Sequence, residues 1–208
     1  MAEAERPQVR QFVVGPLETN CYVVIDGDKA LVVDPGANGA DIAAALSGLD
    51  VELIVATHGH GDHVGGVAAL KQATGAPFAI SAADAGRAQS AADNSSHDFG
   101  YDANAPAPDR LLAEGDVVSV GGLGFSVIDC PGHTPGGIAL YGNGVVFVGD
   151  TLFAGSCGRT DLDGGDADAL RRTLMRLKGS IAPDTLVLPG HGEATTMSAE
   201  LAGNPYLR

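Results

Sequence analysis

The segment His58-Gly-His60-Gly-Asp62-His63 places three imidazoles and one carboxylate within six residues. Its two glycines allow sharp turns and close backbone approach, so the four side chains can point at a common centre. A loop of solvated histidines is the alternative interpretation. We favour a metal site, because the spacing of the three histidines and the aspartate is a metal-binding signature in addition to their residue types.

Three further candidate ligands, His133, Asp150 and His191, each follow an apolar run of strand character. Any one of them alone is more often a structural residue than a ligand. Since His58 also follows such a run, four strands are expected to bring their ends to one sheet edge, where loops build a composite site. The sixth histidine, His97, lies in a polar segment away from every strand end and is not assigned to the site.

The elements expected to position these residues alternate between strand and helix. The β-branched runs 21–25 and 30–34, joined by an Asp-Gly-Asp turn, predict an opening β-hairpin. Periodicity then predicts a helix, a strand, a second helix and a strand, over 41–49, 53–56, 64–72 and 77–80. The segment 82–109 begins rich in alanine, becomes polar and proline-rich, and is interpreted as a surface insertion.

The second half of the chain repeats this plan. Strands are predicted at 117–120, 124–129, 138–141 and 145–148, followed by a helix around 170–177 and a strand at 185–188. Two sheets face to face with helices on both outer sides, a four-layer αββα sandwich of two similar halves, is the expected α/β fold. A three-layer parallel sheet is the second choice. We expect residues 1–208 to form a single domain.

Composition excludes several functional classes. Lys and Arg total 12 against 26 Asp and Glu, and the resulting net charge of −14 disfavours nucleic acid as a partner. We see neither a membrane-spanning apolar run nor a signal peptide and therefore expect a cytoplasmic protein without a membrane partner. The three cysteines, Cys21, Cys130 and Cys157, form no CxxC pair and are expected to be free thiols. The sequence does not indicate an oligomeric state.

The HxHxDH string and the later ligands resemble the metallo-β-lactamase superfamily, from about residue 12 to the C-terminus. The resemblance implies one metal on His58, His60 and His133. It implies a second metal on Asp62, His63 and His191, with Asp150 bridging the two. Imidazole and carboxylate donors without thiolate suit zinc, iron and manganese, and zinc is the expected metal.

Two divalent ions in such a site would activate a bridging hydroxide that attacks a carbonyl at neutral pH. Asp62 is the expected catalytic residue, because it would orient that hydroxide as well as bind metal. A scaffold with a dead site is the alternative from a different class, and the complete ligand set argues against it.

Three segments, residues 149–161, 15–22 and 204–207, resemble short glyoxalase II-like hydrolases. The resemblance implies an acyl-thiol substrate, a thioester such as S-D-lactoylglutathione, whose carboxylates Arg159 could bind. Pairing of Arg159 with Asp161 or Asp163 is an equal alternative. We expect residues 1–208 to be without the C-terminal helical region that contributes to the glutathione pocket in full-length glyoxalase II.

Other activities within the superfamily stay open or are disfavoured. A mononuclear iron persulfide dioxygenase of the same fold is the main alternative, because it shares these motifs and a similar Gly-Arg-Thr-Asp loop. A β-lactamase is a weaker alternative, because that loop does not resemble those enzymes. Cys157, in the same loop, is interpreted as a packed thiol in preference to a nucleophile.

Overall fold

The computed structural model describes residues 7–94 and 104–208, which form two six-stranded sheets. The strands of the first sheet, in spatial order, are β1 (Gln8–Val14), β2 (Thr19–Asp26), β3 (Lys29–Val33), β4 (Asp50–Val55), β5 (Phe78–Ser81) and β6 (Arg110–Leu112). The second sheet comprises β7 (Val117–Val120), β8 (Leu123–Asp129), β9 (Ile138–Gly142), β10 (Val145–Gly149), β13 (Leu186–Pro189) and β14 (Thr195–Thr196). A small hairpin of β11 (Leu152–Phe153) and β12 (Ser156–Cys157) lies outside both sheets.

The helices lie between these strands along the chain. They are α1 (Gly39–Ala45), α2 (Gly61–Val64), α3 (Val67–Thr74), α4 (Ala82–Ala88), α5 (Ala91–Asn94), α6 (Ala167–Ser180) and α7 (Met197–Gly203), followed by a 3-10 turn at Pro205–Leu207. The helix predicted over 64–72 is divided at Gly65–Gly66 into α2 and α3, which separates the ligand-bearing turn from the core-facing helix.

The two halves share one plan, as the sequence predicts. Each begins with antiparallel neighbours, β1 to β3 in the first sheet and β7 to β10 in the second. Each then crosses over through a helix to a parallel strand, from β3 through α1 to β4 and from β10 through α6 to β13. Both crossovers deliver strand ends to the same side of the molecule.

Strand alternation divides the core into layers. On β2, Tyr22 and Val24 face the second sheet and pack with Phe125 and Phe147, while Cys21 and Val23 face the helices of the first half. On the outside of the second sheet, buried side chains of α6 and α7 pack against β10 and β13. The order helix, sheet, sheet, helix confirms the four-layer αββα prediction and shows that the three-layer alternative is wrong.

Two further differences from the sequence interpretation concern the edge of the first sheet and the core. The first strand, β1, precedes the predicted opening hairpin and pairs antiparallel with β2. Within the segment 82–109, interpreted as a surface insertion, Ala88, Ala91 and Ala105 are buried in the core, so the parts of the segment around them belong to the packed fold. An isolated alanine looks the same in sequence whether it is buried or exposed, which explains the error. Residues 95–103 of this segment lie outside the described residues. In the described part of the chain, no helix has the length and apolarity needed to cross a membrane.

Candidate metal centre

The seven predicted ligands meet at the ends of four strands. His58 and His60 follow β4, and the short helix α2 immediately beyond them carries Asp62 and His63. The other three follow strands of the second sheet, with His133 after β8, Asp150 after β10 and His191 after β13. Both sheets therefore contribute candidate ligands, and their donor atoms group within 4.8 Å of one another at this edge.

His58, His60 and His133 form the first donor group. Nδ1 of His60 lies 3.1 Å from Nε2 of His58 and 2.9 Å from Nε2 of His133. Nitrogens bound to one tetrahedral zinc at about 2.0–2.1 Å lie about 3.3 Å apart. Two of the three nitrogen pairs are therefore within about 0.4 Å of the spacing in a tetrahedral zinc site, and all three nitrogens lie within 4.8 Å of one another.

Asp62, His63 and His191 form the second donor group. Oδ2 of Asp62 lies 3.0 Å from Nε2 of His191 and 3.5 Å from Nε2 of His63. The group combines one carboxylate with two imidazoles, which is a donor set that suits a divalent metal.

Asp150 lies between the two groups. Its Oδ2 is 3.5 Å from Nε2 of His133, in the first group, and 3.6 Å from Nε2 of His191, in the second. Its Oδ1 is 3.4 Å from Nε2 of His63. Oδ1 of Asp150 and Nε2 of His63 are buried and have no hydrogen-bond partner among the described residues. Buried polar atoms without partners are costly, so these two fit a bound cation.

Two of the ligand imidazoles are oriented by one carboxylate that the sequence analysis did not identify. Nδ1 of His63 donates to Oδ2 of Asp34 at 3.0 Å. Thr57 donates its hydroxyl to the same oxygen at 2.7 Å and lies 3.1 Å from Nδ1 of His58. Asp34 is buried directly after β3 and has a positive φ of 54°, a backbone conformation that the sequence does not reveal.

Backbone carbonyls orient two more ligands. Nδ1 of His133 donates to the carbonyl of Arg159 at 2.8 Å, and Nδ1 of His191 donates to the carbonyl of Leu17 at 3.0 Å. These contacts set the tautomer in which Nε2 faces the donor groups. No sequence pattern could reveal them, because any residue supplies a carbonyl.

Asp84 ties the two loops of the first donor group together. Its carboxylate accepts from the amide of Gly59 at 2.8 Å and from the amide of Gly136 at 2.8 Å, and the side chain is fully buried. Gly59 lies between His58 and His60, and Gly136 lies three residues after His133. The sequence analysis missed this residue because it placed the segment at the surface.

Several glycines are required by close approach to the ligands. A Cβ on Gly36 would overlap the carbonyl oxygen of Asp62, and one on Gly158 would overlap the carbonyl oxygen of Asp150. A Cβ on Gly190 would collide with the carboxylate of Asp150 and the ring of His63. These positions explain why glycine precedes or faces each ligand loop.

The surroundings of His58, His60 and Asp62 shift the pKa values of these side chains. Burial, together with the neighbouring imidazoles, lowers the pKa of His58 and lowers that of His60 to about 4. Burial opposes the charge of Asp62, but His63 and His191 outweigh it and lower the pKa of this carboxyl. His58 and His60 are therefore held as neutral imidazoles, and Asp62 as a carboxylate, which are the forms that bind metal.

The remaining candidates lie at the rim of the centre or away from it. Arg159 points its guanidinium at Asp161, with both Nε–Oδ1 and Nη2–Oδ2 at 2.7 Å, so the structure contains the structural pairing that the sequence left open. Cys157 is half-buried and burial raises its pKa, while Cys21 and Cys130 are fully buried; no disulfide joins the three. His97 lies outside the described residues.

Comparison with known sequences identifies the family. Residues 14–191 match the model of the metallo-β-lactamase superfamily. A protein of Aquifex aeolicus, named only as uncharacterized, is 39% identical over 95% of this chain and 96% of its own. Hydroxyacylglutathione hydrolase GloC of Haemophilus influenzae is 33% identical over 93% of this chain and 95% of its own.

Solved structures give the same result. The B3 metallo-β-lactamase BLEG-1 superposes with a TM-score of 0.89 at 32% identity, over 96% of this chain and 99% of that one. TTHA1623 in a di-iron-bound form superposes with a TM-score of 0.80 at 37% identity, over 95% of this chain and 100% of that one. ETHE1 of Myxococcus xanthus superposes with a TM-score of 0.75 at 30% identity, over 95% of this chain and 83% of that one. The chain belongs to the metallo-β-lactamase superfamily.

Proposed function

We propose that the chain is a dinuclear metal-dependent hydrolase of thioesters, such as S-D-lactoylglutathione or a related acyl-thiol. The observation that carries the proposal is the pair of donor groups joined by Asp150. A single metal in the first group would leave Nε2 of His63, which is buried and has no hydrogen-bond partner among the described residues, without a cation to bind, at a cost in free energy. The dinuclear arrangement uses all seven ligands.

In this proposal, His58, His60 and His133 hold one metal and Asp62, His63 and His191 hold the other, with Asp150 shared. Zinc is our first choice, and iron is a second choice that the di-iron form of TTHA1623 supports. When bound, the metals supply Lewis acidity, which polarises a carbonyl and lowers the pKa of water toward neutrality.

The side chains of the protein orient the attacking water and the imidazoles that hold the metals. Asp62, whose pKa is lowered, stays ionised and presents a carboxylate that accepts a hydrogen bond from the attacking water. Asp34 and the Arg159 carbonyl hold His63 and His133 in the required tautomer. A thiolate leaves readily from the acyl carbon, so the site needs no strong general acid.

An acyl-thiol is favoured as the small-molecule substrate by the name of the Haemophilus influenzae relative, a hydroxyacylglutathione hydrolase. The net charge of −14 argues against a nucleic-acid substrate. We propose that Arg159 contributes to substrate binding by exchanging its exposed partner Asp161 for a substrate carboxylate, since exposed ion pairs are weak and exchange readily.

The proposal is tested by counting metals and measuring turnover on the same preparation. We expect close to two metals per chain by elemental analysis and hydrolysis of S-D-lactoylglutathione or of a simple acyl-thiol. His60→Ala and His191→Ala should each reduce the metal content toward one per chain and lower kcat by orders of magnitude. Two bound metals with no hydrolysis on a thioester panel would refute the thioesterase assignment.

Two other activities are tested in parallel. A mononuclear iron persulfide dioxygenase would bind one iron per chain and consume oxygen with glutathione persulfide. The BLEG-1 superposition favours a β-lactam assay as well, because that protein is named a B3 metallo-β-lactamase. Oxygen uptake or β-lactam cleavage that exceeds thioester hydrolysis in kcat/KM would replace the thioesterase proposal.

A further inference from the structure

A cleft of about 670 Å³ lies beside the metal centre, between the β12 loop, helix α6 and the C-terminal 3-10 turn. Its floor is apolar and includes Leu174 and Met175 of α6, and the ring of Tyr206 stands at its edge, about half exposed. The volume falls within the range of about 300–1,000 Å³ that small-molecule sites occupy. None of the seven metal ligands lines this cleft.

The charged residues that line the cleft all have one sign. Among the described residues that line it, Arg159, Arg171 and Arg208 are the charged ones. The whole chain has 12 basic side chains and a net charge of −14, so three arginines at one cleft run against the overall charge. Such a concentration attracts anions toward a surface that otherwise repels them.

The present partners of these arginines are weakly held. Arg171 lies 3.6 Å from Asp168, and both side chains are more than two thirds exposed. Arg159 contacts Asp161, and this pair is also largely exposed. Exposed ion pairs contribute little to stability, so an incoming carboxylate can replace Asp168 as the partner of Arg171 at small cost.

We propose that this cleft binds an amphiphilic carboxylate, a small molecule with one carboxylate and an unbranched apolar chain. The carboxylate pairs with Arg171 and Arg208 at the rim, and the chain covers Leu174, Met175 and Tyr206. Guanidinium groups recognise carboxylates by paired hydrogen bonds, and burial of the chain supplies the remaining affinity.

The cleft is separate from the metal centre, but the two share one backbone segment. The backbone of Gly158 and Arg159 lies between them, since the Arg159 carbonyl accepts from Nδ1 of His133 while the Arg159 side chain lines the cleft. The ligand proposed here pairs with Arg171 and Arg208, whereas Arg159 is the residue proposed to bind the substrate of the metal centre, and occupancy of the cleft is measured without any substrate.

Isothermal titration calorimetry of the metal-loaded protein with decanoate tests the proposal. The decanoate concentration is kept below the critical micelle concentration of decanoate. We expect one decanoate per chain and an affinity that rises from octanoate to dodecanoate, by up to about fourfold per added methylene. Decanol, which has the chain without the charge, should bind at least about tenfold more weakly.

Charge reversal locates the site. Arg171→Glu should weaken decanoate binding at least about tenfold. The matched control is Arg172→Glu, at the next, exposed position on α6 outside the cleft, and it should leave the affinity unchanged. Equal binding of decanol, absence of binding, or an Arg171→Glu variant that binds like the parent would overturn the proposal. The last result would also be the one expected if decanoate bound to the metals.

Discussion

The carboxylate of Asp34 accepts a hydrogen bond from Nδ1 of His63 at 3.0 Å, and both side chains are buried. The same carboxylate accepts hydrogen bonds from the hydroxyl and the backbone amide of Thr57, which lies next to His58. One residue at the end of β3 therefore holds ligands of both donor groups. An outer hydrogen bond of this kind orients the ring and makes the ligand nitrogen more basic.

Replacement of Asp34 by alanine is expected to weaken metal binding about 10–100-fold, because His63 and His58 lose their common anchor. Competition with a metal-responsive chelating dye measures the affinity. Asp41→Ala, which removes an exposed carboxylate of α1, is the control and should bind metal like the parent protein. An Asp34→Ala variant with unchanged affinity would show that the ligands are positioned by packing alone.

Replacement of Gly36 by alanine is expected to displace the turn that carries Asp62 and His63. The new Cβ would overlap the Asp62 carbonyl, and overpacking of this kind typically costs about 1–3 kcal/mol. Urea unfolding of the metal-free protein measures the free energy of unfolding, and elemental analysis measures bound metal.

The matched control for this change is Gly86→Ala on α4, where a Cβ would meet nothing within 4 Å. It should be neutral or stabilise the protein by up to about 1 kcal/mol, because alanine is the better helix former. If Gly36→Ala behaved like Gly86→Ala, the close approach to Asp62 would not constrain the site.

The grouping of the seven candidate ligands was predictable because each combines a metal-binding residue type with a position close after a strand end. The layers were predictable because β2, β3 and β10 are β-branched runs whose alternate residues face different layers. Asp34, Thr57 and Asp84 were not predictable, since a lone polar residue looks the same in sequence whether it is solvated or buried. Their roles depend on tertiary contacts between residues 23 to 52 positions apart.

Replacement of Asp84 by asparagine is expected to destabilise the protein by about 1–3 kcal/mol, because the amide group would face a buried backbone N–H and leave it unsatisfied. The loops that carry His60 and His133 should also separate, which lowers metal content. Urea unfolding and elemental analysis measure the two effects. Asp168→Asn, an exposed change on α6, should alter stability by no more than about 0.5 kcal/mol. Parallel behaviour of the two variants would contradict the proposed tie.

The three cysteines are expected to react with a disulfide reagent in two classes. Cys21 and Cys130 are fully buried, and burial raises the pKa of Cys130 to about 12, so neither presents a thiolate to solvent in the folded protein. Cys157 is half-buried and should react alone under native conditions. Because burial raises its pKa, its rate should continue to increase above pH 9, where an ordinary thiol approaches its plateau.

Thiol counting with and without denaturant tests this expectation, with one equivalent predicted for the folded protein and three for the unfolded protein. The Cys157→Ser variant is the control and should give none in the folded state. Two or three equivalents from the native parent would mean that the core around Cys21 or Cys130 opens readily. Since Cys21 lies on β2 among residues that pack against the first helical layer, such opening would also loosen the sheet that carries His58.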